Sequence, residues 1–428
     1  MAASPEPQAI PSFEDARHIV EAHAAIVRGS RATEIVDLLS GAGRVLAEPV
    51  LADRDMPPFP RSTRDGFAVR AADLAKLPAT LEIIGEIRAG EKPEEIPASV
   101  ERGQAVSIMT GAPVPPRADA VVMVEYTSRQ GARVEIAKGV TIGENVVARG
   151  AEARQGSLLL DKGILLNEAA IALAASVGKL QLQVYKRPQV AVITTGDEIV
   201  DPETVPGPTQ IRNSNSYSLA VQIRKAGGDP VLLPIAPDER QRLREVIEEG
   251  LKSDLLLLTG GVSMGRYDLV EEVLTEMKAE FFFTGAKIQP GRPVVFGRVP
   301  HGAGAIAREG SSVPSLGRYF FGLPGNPVST MVTFELFAKP MLEALAGMSP
   351  RKLIFVHARL KSEIRIRTGL KRFLPAILSG EFENSEVELV AWQGSGDIAA
   401  VARANCYAVI PPDRERIAVG EWVAVMMR

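Results

Sequence analysis

Between Arg187 and about Ala346, short apolar runs alternate with stretches that repeat apolar residues at helical spacing. The apolar runs include "VAVITTG" and "DLLLLTGG", and the helical stretches include "SYSLAVQIRKAG" and "ERQRLREVIEEGL". Continuous apolar strands between amphipathic helices are typical of a mostly parallel sheet that helices cover on both faces. This part of the chain is therefore predicted to form a three-layer α/β domain.

The segments on either side of this domain follow other patterns. Ser12 and Asp15 form a capping-box variant at the start of "SFEDARHIVEAHAAIV", which predicts an N-terminal helix, and the Ala-rich "LLNEAAIALAASVG" predicts a second helix that rejoins it. Between the two helices, short β-branched stretches punctuated by Gly and Pro predict an inserted β-rich domain. Beyond Ser349 we expect no helices, only the strands of a final small β domain. The predicted domains are 1–49 with 148–186, 50–147, 187–346 and 347–428.

Composition narrows the class of protein. Of the 428 residues, 49 are basic and 52 are acidic, which gives a net charge of −3. So small a charge produces no overall field that would attract nucleic acid or an anionic membrane. A single cysteine, Cys406, and four scattered histidines argue against disulfides and a zinc site. With no signal-peptide pattern and no apolar run long enough to cross a bilayer, we expect a cytoplasmic protein without nucleic-acid or membrane partners.

Three polar loops that contain glycine follow strands of the predicted α/β domain. In an open parallel sheet such loops lie at the carboxyl edge, where ligands bind. Glycines permit close approach of the backbone, and helix N-termini offer free N–H groups, so the loops suit a phosphate or another anion; for any one loop, ordinary turn chemistry remains an alternative. The candidates are Thr195, Gly196, Asp197 and Glu198 in "ITTGDE", Gly260, Gly261, Ser263, Gly265 and Asp268 in "TGGVSMGRYD", and Gly325, Asn326 and Pro327 in "GLPGNPVST".

Charged side chains accompany these glycines. The carboxylates of Asp197, Glu198, Asp238 and Asp268 lie near predicted loop positions where oxygen ligands would gather, and clustered carboxylates beside a phosphate indicate magnesium. The alternative for Asp238 is stabilisation of a helix N-terminus. The segment "GAKIQPGRPVVFG" adds Lys287 and Arg292 around a Pro-Gly turn, where a cation would meet an anionic oxygen; a solvated hairpin tip is the alternative. Neither a P-loop nor a dinucleotide-binding G-x-G-x-x-G motif is present.

A second dense stretch, "PPFPRSTRDGFAVR", lies in the predicted β-rich domain. It places Ser62, Arg64 and Asp65 between a Pro-rich loop and an apolar strand. A turn that ends in Asp-Gly explains only part of this crowding. Nearby, "IMTGAPVPPRADAVVMVE" contains Thr110 in another Thr-Gly pair, for which a simple hairpin is the alternative.

Six stretches, "STRDGFAVR", "IMTGAPVPPRADAVVMVE", "TTGDE", "TGGVSMGRYD", "QPGRP" and "GLPGNPVST", together and in this order resemble the molybdopterin molybdenumtransferase family, which includes MoeA and the gephyrin E domain. The resemblance covers nearly the whole chain. It implies an elongated four-domain subunit: a discontinuous N-terminal α+β dimerisation domain, an inserted β-rich domain, a MogA-like α/β domain and a C-terminal β-barrel-like domain. It also implies a homodimer with its active site at the dimer interface.

The implied reaction inserts molybdenum from molybdate into adenylylated molybdopterin, with magnesium, and releases AMP. By resemblance, Asp65 belongs to the metal-insertion site with Ser62 and Thr110 beside it, and Asp238, Asp268 and Glu198 hold the metal ion. Molybdopterin adenylyltransferase, molybdoenzymes and carrier proteins are the expected partners. The residues implied to surround the pterin nucleotide are Thr195, Gly196, Asp197, Gly260, Gly261, Ser263, Gly265, Pro290, Gly291, Arg292, Gly325, Asn326 and Pro327.

Three stretches depart from the family pattern. The stretch that usually reads Arg-Gly-Glu-Asp reads "RGAEA" here, which retains an acidic position only as Glu152. Gln289 and Arg292 replace the two lysines of K-P-G-K-P, and Arg64 lies beside Asp65, where it would supply the missing charge, hold Asp65 ionised or face solvent. Two other functions stay open: a dimeric scaffold of the gephyrin E type, and a molybdopterin adenylyltransferase that consumes ATP.

Overall fold

The computed structural model describes residues 9–28, 32–261, 269–300 and 317–428. The chain divides into two compact units. The larger unit comprises Met1–Ala47, Gly163–Asn167 and Leu182–Arg428, and the smaller unit comprises Glu48–Lys162 and Glu168–Gln181. The finer division into four domains remains a prediction.

The regular elements are numbered along the chain. Those before residue 187 are α1 (Phe13–Val27), β1 (Thr33–Asp37), β2 (Val50–Leu51), β3 (Arg61–Ser62), β4 (Gly66–Val69), β5 (Ala79–Ile87), β6 (Gln104–Ile108), β7 (Ala120–Met123), β8 (Thr127–Gln130), β9 (Arg133–Ile136), β10 (Val146–Val147), β11 (Leu158–Leu160), α2 (Glu168–Ser176) and β12 (Gln181–Tyr185).

The next group lies between residues 187 and 346. Its members are β13 (Gln189–Thr194), β14 (Ile199–Val200), β15 (Ile211–Arg212), α3 (Asn215–Lys225), β16 (Asp229–Leu232), α4 (Arg240–Gly250), β17 (Leu255–Thr259), α5 (Leu269–Glu276), β18 (Glu280–Phe283), β19 (Ile288–Gln289), β20 (Val295–Val299), β21 (Arg318–Leu323), α6 (Pro327–Thr333) and α7 (Lys339–Leu345), with a π-helical turn, Phe334–Ala338, between the last two.

The last group belongs to the C-terminal region. Its members are β22 (Phe355–Leu360), β23 (Ile364–Arg365), β24 (Lys371–Ser379), β25 (Glu386–Leu389), α8 (Ile398–Arg403), β26 (Cys406–Ile410), β27 (Arg416–Ile417) and β28 (Trp422–Met427).

The central sheet of the larger unit has the strand order β16-β13-β17-β21-β20-β18. The first four strands run parallel, and β20 and β18 are antiparallel additions at one edge. Alternate residues of a strand face opposite sides of the sheet. On β17, Leu255 and Leu257 pack with α3 and α6, whereas Leu256 and Leu258 pack with α4 and α5. The predicted three-layer α/β architecture with a mostly parallel sheet is therefore confirmed.

Helix α1 packs into this same core. Its N-terminus is capped as predicted, because the Ser12 hydroxyl accepts the N–H of Asp15. The buried face of the helix carries Ala16, Val20 and Ala24 at helical spacing. These residues belong to the hydrophobic cluster that also contains Val190 and Val192 of β13 and Leu255 and Leu257 of β17.

The C-terminal region is a closed barrel. Strands β24, β25, β22, β28 and β26 pair in that order, and a further pairing of β24 with β26 closes the ring. Ala358, Ala376 and Val425 are among the small and branched side chains that fill it. The expectation of no helix beyond Ser349 is wrong, since α8 forms after Asp397, whose side chain accepts the N–H of Ala400. Six residues are too few for periodicity to reveal such a helix.

The smaller unit is built around a six-stranded sheet of order β7-β4-β6-β5-β9-β8. Separate hydrophobic clusters lie on its two sides: Phe67 and Val69 belong to one, and Ala68 belongs to the other. Strand β4 is thus buried on both faces and pairs with β6 and β7. The loop before β4, which contains "STRD", is consequently fixed at the end of a central strand.

Among the helices in the described ranges, none is both long enough and apolar enough to cross a membrane.

Candidate functional site

The three glycine loops of the α/β region meet at the carboxyl edge of the sheet. The N–H of Thr195 donates to the carbonyl of Thr259 at 3.0 Å, which joins the first loop to the second. A Cβ built on Gly325 would lie 3.4 Å from the Cα of Gly260, which brings the third loop against the second. Residues 130 positions apart in the chain therefore share one small area, as the parallel topology predicts.

Close contacts with Thr195 explain why positions 260 and 261 need glycine. Gly260 has φ +90°, and a Cβ there would lie 2.4 Å from the carbonyl oxygen of Thr195. Gly261 has φ +59°, and its Cβ would lie 2.8 Å from the hydroxyl oxygen of Thr195. Both positions combine left-handed backbone with contacts that leave no space for a side chain. The loop therefore presents bare backbone at the edge of the sheet.

Asn215, at the start of α3, holds two of these loops together. Its Nδ2 donates to the Thr259 hydroxyl at 2.9 Å and to the Gly325 carbonyl at 2.7 Å. The Thr259 hydroxyl in turn donates to the carbonyl of Pro324 at 3.2 Å. Asn215 was not among the site residues predicted from the sequence; its only signal was the cluster of polar residues in "RNSNSYS" at a predicted helix start.

Two buried oxygens at this junction have no hydrogen-bond partner within the described ranges. They are the hydroxyl oxygen of Thr195 and Oδ1 of Asn215, on residues that are 2% and 7% exposed. An unsatisfied buried polar atom costs about 1–3 kcal/mol, so native proteins rarely leave one without a function. A ligand with hydrogen-bonding groups at this edge of the sheet would satisfy both atoms.

Carboxylates from two loops lie beside the glycines. The N–H of Asp238 donates to the Asp197 carboxylate at 3.1 Å. Burial raises the pKa of Asp238, and the nearby negative charges of Asp197 and Glu198 raise it further. Asp238 therefore belongs to an acidic cluster rather than serving only the N-terminus of α4, which begins two residues later. No set of three or more potential metal ligands converges among the residues that the structure describes.

Pro290, Gly291 and Arg292 line a cavity of about 460 Å³, here called the Arg292 cavity. Asn326, Trp392 and Ser395 line it as well. Pro290 and Gly291 are buried, and a Cβ on Gly291, at φ +97°, would lie 2.3 Å from a methyl carbon of Thr333. The Pro-Gly turn itself packs against the α/β core, and β19 pairs with β24 of the barrel. Lys287 and Arg292 on either side of the turn are exposed, so a solvated position for these two cations stays an alternative.

A second cavity of about 460 Å³, here called the Arg372 cavity, shares part of its lining with the Arg292 cavity. Both cavities are lined by Gln289 and Trp392. Arg372 is 7% exposed and donates from Nε to Oε1 of Gln289 at 2.7 Å. Its burial lowers its pKa. Sequence reasoning missed Arg372, because it lies in a strand more than 80 positions away and no local motif connects it to "QPGRP".

In the smaller unit, Asp65 and Thr110 are in contact, as the resemblance implied. Oδ1 of Asp65 accepts the Thr110 N–H at 2.6 Å and the Thr110 hydroxyl at 2.8 Å. These bonds lower the pKa of Asp65, so the exposed carboxylate stays ionised. Ser62 is fully buried, and its hydroxyl both donates to the Arg64 carbonyl at 2.5 Å and accepts the Arg64 N–H at 3.2 Å. Ser62 therefore stabilises the turn that presents Asp65.

The departures near Asp65 have different environments. Arg64 is exposed and makes no ion pair in the described part of the chain, and the lowered pKa of Asp65 is due to Thr110 instead. Glu152 forms an ion pair of 2.9 Å with Arg61, the residue before Ser62. Arg64, next to Asp65 in the chain, is thus a positive side chain available to a ligand. The charge of Glu152, the acidic residue that is retained, is neutralised by Arg61.

Ser263, Gly265 and Asp268 lie outside the described residues. Of the other residues proposed for the α/β region, Pro327 is the first residue of α6 and Gly196, at φ +133°, is buried at the end of the first loop. Two groups thus emerge: the glycine loops with the acidic cluster and the Arg292 cavity in the larger unit, and the Asp65–Thr110 pair in the smaller unit.

Three family models match consecutive parts of the chain. The MoeA N-terminal region (domains I and II) matches residues 11–178, a probable molybdopterin-binding domain matches residues 191–344, and the MoeA C-terminal region (domain IV) matches residues 357–427. The three glycine loops and the acidic cluster fall within the molybdopterin-binding model.

Relatives that match nearly the whole chain are molybdopterin molybdenumtransferases. A molybdopterin molybdenumtransferase from Nostoc sp. is 32% identical over 97% of this chain and 94% of its own length. One from Staphylococcus aureus (strain COL) is 31% identical over 92% of this chain and 90% of its own length. Among solved structures, a molybdopterin biosynthesis MoeA protein from Pyrococcus horikoshii OT3 is 27% identical, with a TM-score of 0.76 over 98% of this chain and 100% of its own.

Proposed function

The chain belongs to the MoeA family of molybdopterin molybdenumtransferases, and on that premise we propose that its glycine loops, its acidic cluster and Asp65 carry out the insertion of molybdenum. The protein is a transferase of molybdenum cofactor biosynthesis. Its substrates are molybdate and adenylylated molybdopterin, and AMP is the second product.

The observation that carries this proposal is the convergence of three glycine loops around two buried, unsatisfied oxygens. Adenylylated molybdopterin carries two phosphates, a pterin and a nucleotide. Bare backbone at Gly260, Gly261 and Gly325 would lie close to a phosphate, and Thr195 and Asn215 would bond to polar atoms of the ligand. Pro290, Gly291 and Asn326 would hold the other end of the substrate at the Arg292 cavity.

Two cations are available for the anionic groups. Arg292 lines its cavity from an exposed position, and Arg372 is buried beside Gln289. Guanidinium groups bind tetrahedral oxyanions through paired N–H donors. Gln289 stands in place of a lysine, and the Arg372 guanidinium contacts its side chain directly, so we propose that Arg372 binds molybdate together with Arg292.

The acidic cluster suits magnesium, which proteins commonly hold through one or two carboxylates together with substrate phosphates. Carboxylates that raise one another's pKa, as at Asp238, become more stable when a divalent cation lies between them. We assign Glu198, Asp238 and Asp268 to this ion. When bound, magnesium would neutralise charge that develops on the leaving phosphate. Asp65, ionised and fixed by Thr110, would orient the molybdate oxygen or water during insertion.

The decisive experiment measures AMP release by the purified protein from adenylylated molybdopterin with magnesium, while molybdate is titrated and tungstate is run in parallel. Release that depends on the oxyanion supports the transferase. Tight binding of the pterin without any release would instead support a scaffold, and ATP consumption with pyrophosphate release would indicate an adenylyltransferase. Omission of magnesium tests the metal, and sedimentation tests the proposed homodimer.

A further inference from the structure

Residues 10–14 run along the back of the turn that leads to Gln289. The N–H of Lys287 donates to the carbonyl of Pro11 at 2.9 Å. A Cβ built on Gly285 would lie 3.5 Å from Cγ2 of Ile10. The segment that precedes α1 is therefore packed against the loop that lines the Arg292 cavity.

The same segment reaches the strand that carries Arg372. Strand β19 pairs in parallel with β24, with Ile288 opposite Lys371 and Gln289 opposite Arg372. Because neighbouring strand residues point to opposite sides, Lys371 and Arg372 face away from each other. Lys371 forms an ion pair with Glu14, and its Nζ lies 4.9 Å from the centre of the Phe13 ring. Arg372 points the other way, to Gln289.

Phe13 anchors this arrangement in the core. It is 8% exposed, and its ring lies 5.4 Å from that of Phe373 and 6.1 Å from that of Phe337, measured between centroids. The first turn of α1 thus contacts both the strand of Arg372 and the π-helical turn, Phe334–Ala338. Within the described part of the chain, the guanidinium group of Arg372 donates only to Gln289, from Nε, and to Leu370, from Nη1, so Nη2 is available to a ligand.

We infer that Lys371, clamped by Phe13 and Glu14, is a positioning residue that fixes the start of β24 and so aims Arg372 at the oxyanion. This inference rests on the proposed function, because it takes Arg372 to bind molybdate. Lys371 itself touches no substrate; loss of its side chain leaves Arg372 in place but less well oriented. The effect should therefore fall on oxyanion binding and not on pterin binding.

The test compares Lys371→Met with the parent by steady-state kinetics of AMP release. A small displacement of a binding group weakens its contribution markedly, so KM for molybdate should rise about tenfold, while KM for adenylylated molybdopterin and the melting temperature change little. Lys371→Arg should restore the parent value. Lys361→Met is the matched control, because Lys361 lies in the same barrel and pairs with Glu386 and Glu388. Glu14→Gln removes only the partner charge and should raise KM for molybdate two- to threefold, on the order of a weakened surface pair.

Failure of the proposed function and failure of the positioning role give different results. If the parent protein shows no molybdate-dependent AMP release, the proposed function is wrong. If the parent is active but Lys371→Met leaves KM for molybdate unchanged, or raises KM for the pterin equally, the positioning role is overturned. Should Lys371→Met not fold, Glu14→Gln decides the question by the same two KM values.

Discussion

At the scale of single residues, Asn215 is the side chain on which the pterin-side site depends most. It bonds to both the second and the third glycine loop. Asn215→Ala removes the donor to the Thr259 hydroxyl and to the Gly325 carbonyl, so we expect a loss of about 1–3 kcal/mol in the free energy of unfolding. Binding of adenylylated molybdopterin should weaken at least tenfold, on the order of one lost hydrogen bond to a ligand.

Calorimetry and equilibrium binding measure these two effects. Asn405→Ala serves as control, since Asn405 also makes paired backbone bonds, to Leu378, but lies in the barrel away from the loops. It should lower stability without changing pterin affinity. Unchanged affinity in Asn215→Ala would refute the role of this residue.

The raised pKa of Asp238 predicts how the activity depends on pH. Its pKa is raised by burial and by the charges of Asp197 and Glu198, so as pH falls this carboxylate is protonated before an ordinary aspartate is. If its ionised form is needed, activity should decline on the acid side at a higher pH than usual. Asp197→Asn keeps an acceptor for the Asp238 N–H but removes a negative charge, so the acid limb should move to lower pH.

The measurement is kcat/KM for AMP release against pH in the two proteins. Asp201→Asn, a nearby exposed position that does not contribute to the raised pKa of Asp238, should leave the limb in place. An acid limb that is identical in Asp197→Asn and the parent would show that this cluster does not limit activity.

At the scale of elements, the second glycine loop is the most constrained. A Cβ at Gly260 would lie 2.4 Å from backbone, so Gly260→Ala must displace the loop away from Thr195. We expect pterin affinity to fall more than tenfold, with a destabilisation of about 1–3 kcal/mol from strain at positive φ. Gly420→Ala is matched in backbone, at φ +81° with no atom within 4 Å, and should show the strain without the loss of affinity. Equal affinities in the two variants would contradict the assignment.

Some elements and contacts were predictable from the sequence, and others were not. Strands β13, β17 and β21 and their loops were predictable because a buried parallel strand is a continuous apolar run that ends at polar residues. The contact of Gln289 with Arg372 was not, since it depends on pairing between β19 and β24 across some 80 residues, and two-residue β19 has no period of its own. Asn215 was missed for a related reason: its bonds to Thr259 and Gly325 exist only after three loops meet.

At the scale of the whole molecule, α1 ties the N-terminus to the antiparallel edge of the central sheet through His23. Its ring stacks on Phe282 at 3.9 Å between centroids, and Nδ1 lies 3.1 Å from the Tyr319 hydroxyl. Burial, followed by the positive charge of Arg298, lowers the pKa of His23. The unfolded chain therefore binds a proton more readily, and stability should fall as pH drops below the ordinary histidine value of about 6.5.

Urea unfolding between about pH 7.5 and 5.5 measures this loss. His23→Asn should be less stable at neutral pH but show a flatter dependence, whereas His357→Asn, at an exposed position on β22, should keep the slope of the parent. If the slope survives in His23→Asn, another group causes it.

On the proposed function, the glycine loops bind the pterin nucleotide and Asp65 acts in metal insertion. The most direct test is a single-turnover experiment on Asp65→Ala, in which bound adenylylated molybdopterin and released AMP are measured after molybdate is added. We expect binding equal to that of the parent, because the pterin nucleotide is assigned to the glycine loops and Asp65 to metal insertion. We expect a rate of AMP release lower by about 100-fold or more. Release at the rate of the parent would show that Asp65 does not act in metal insertion.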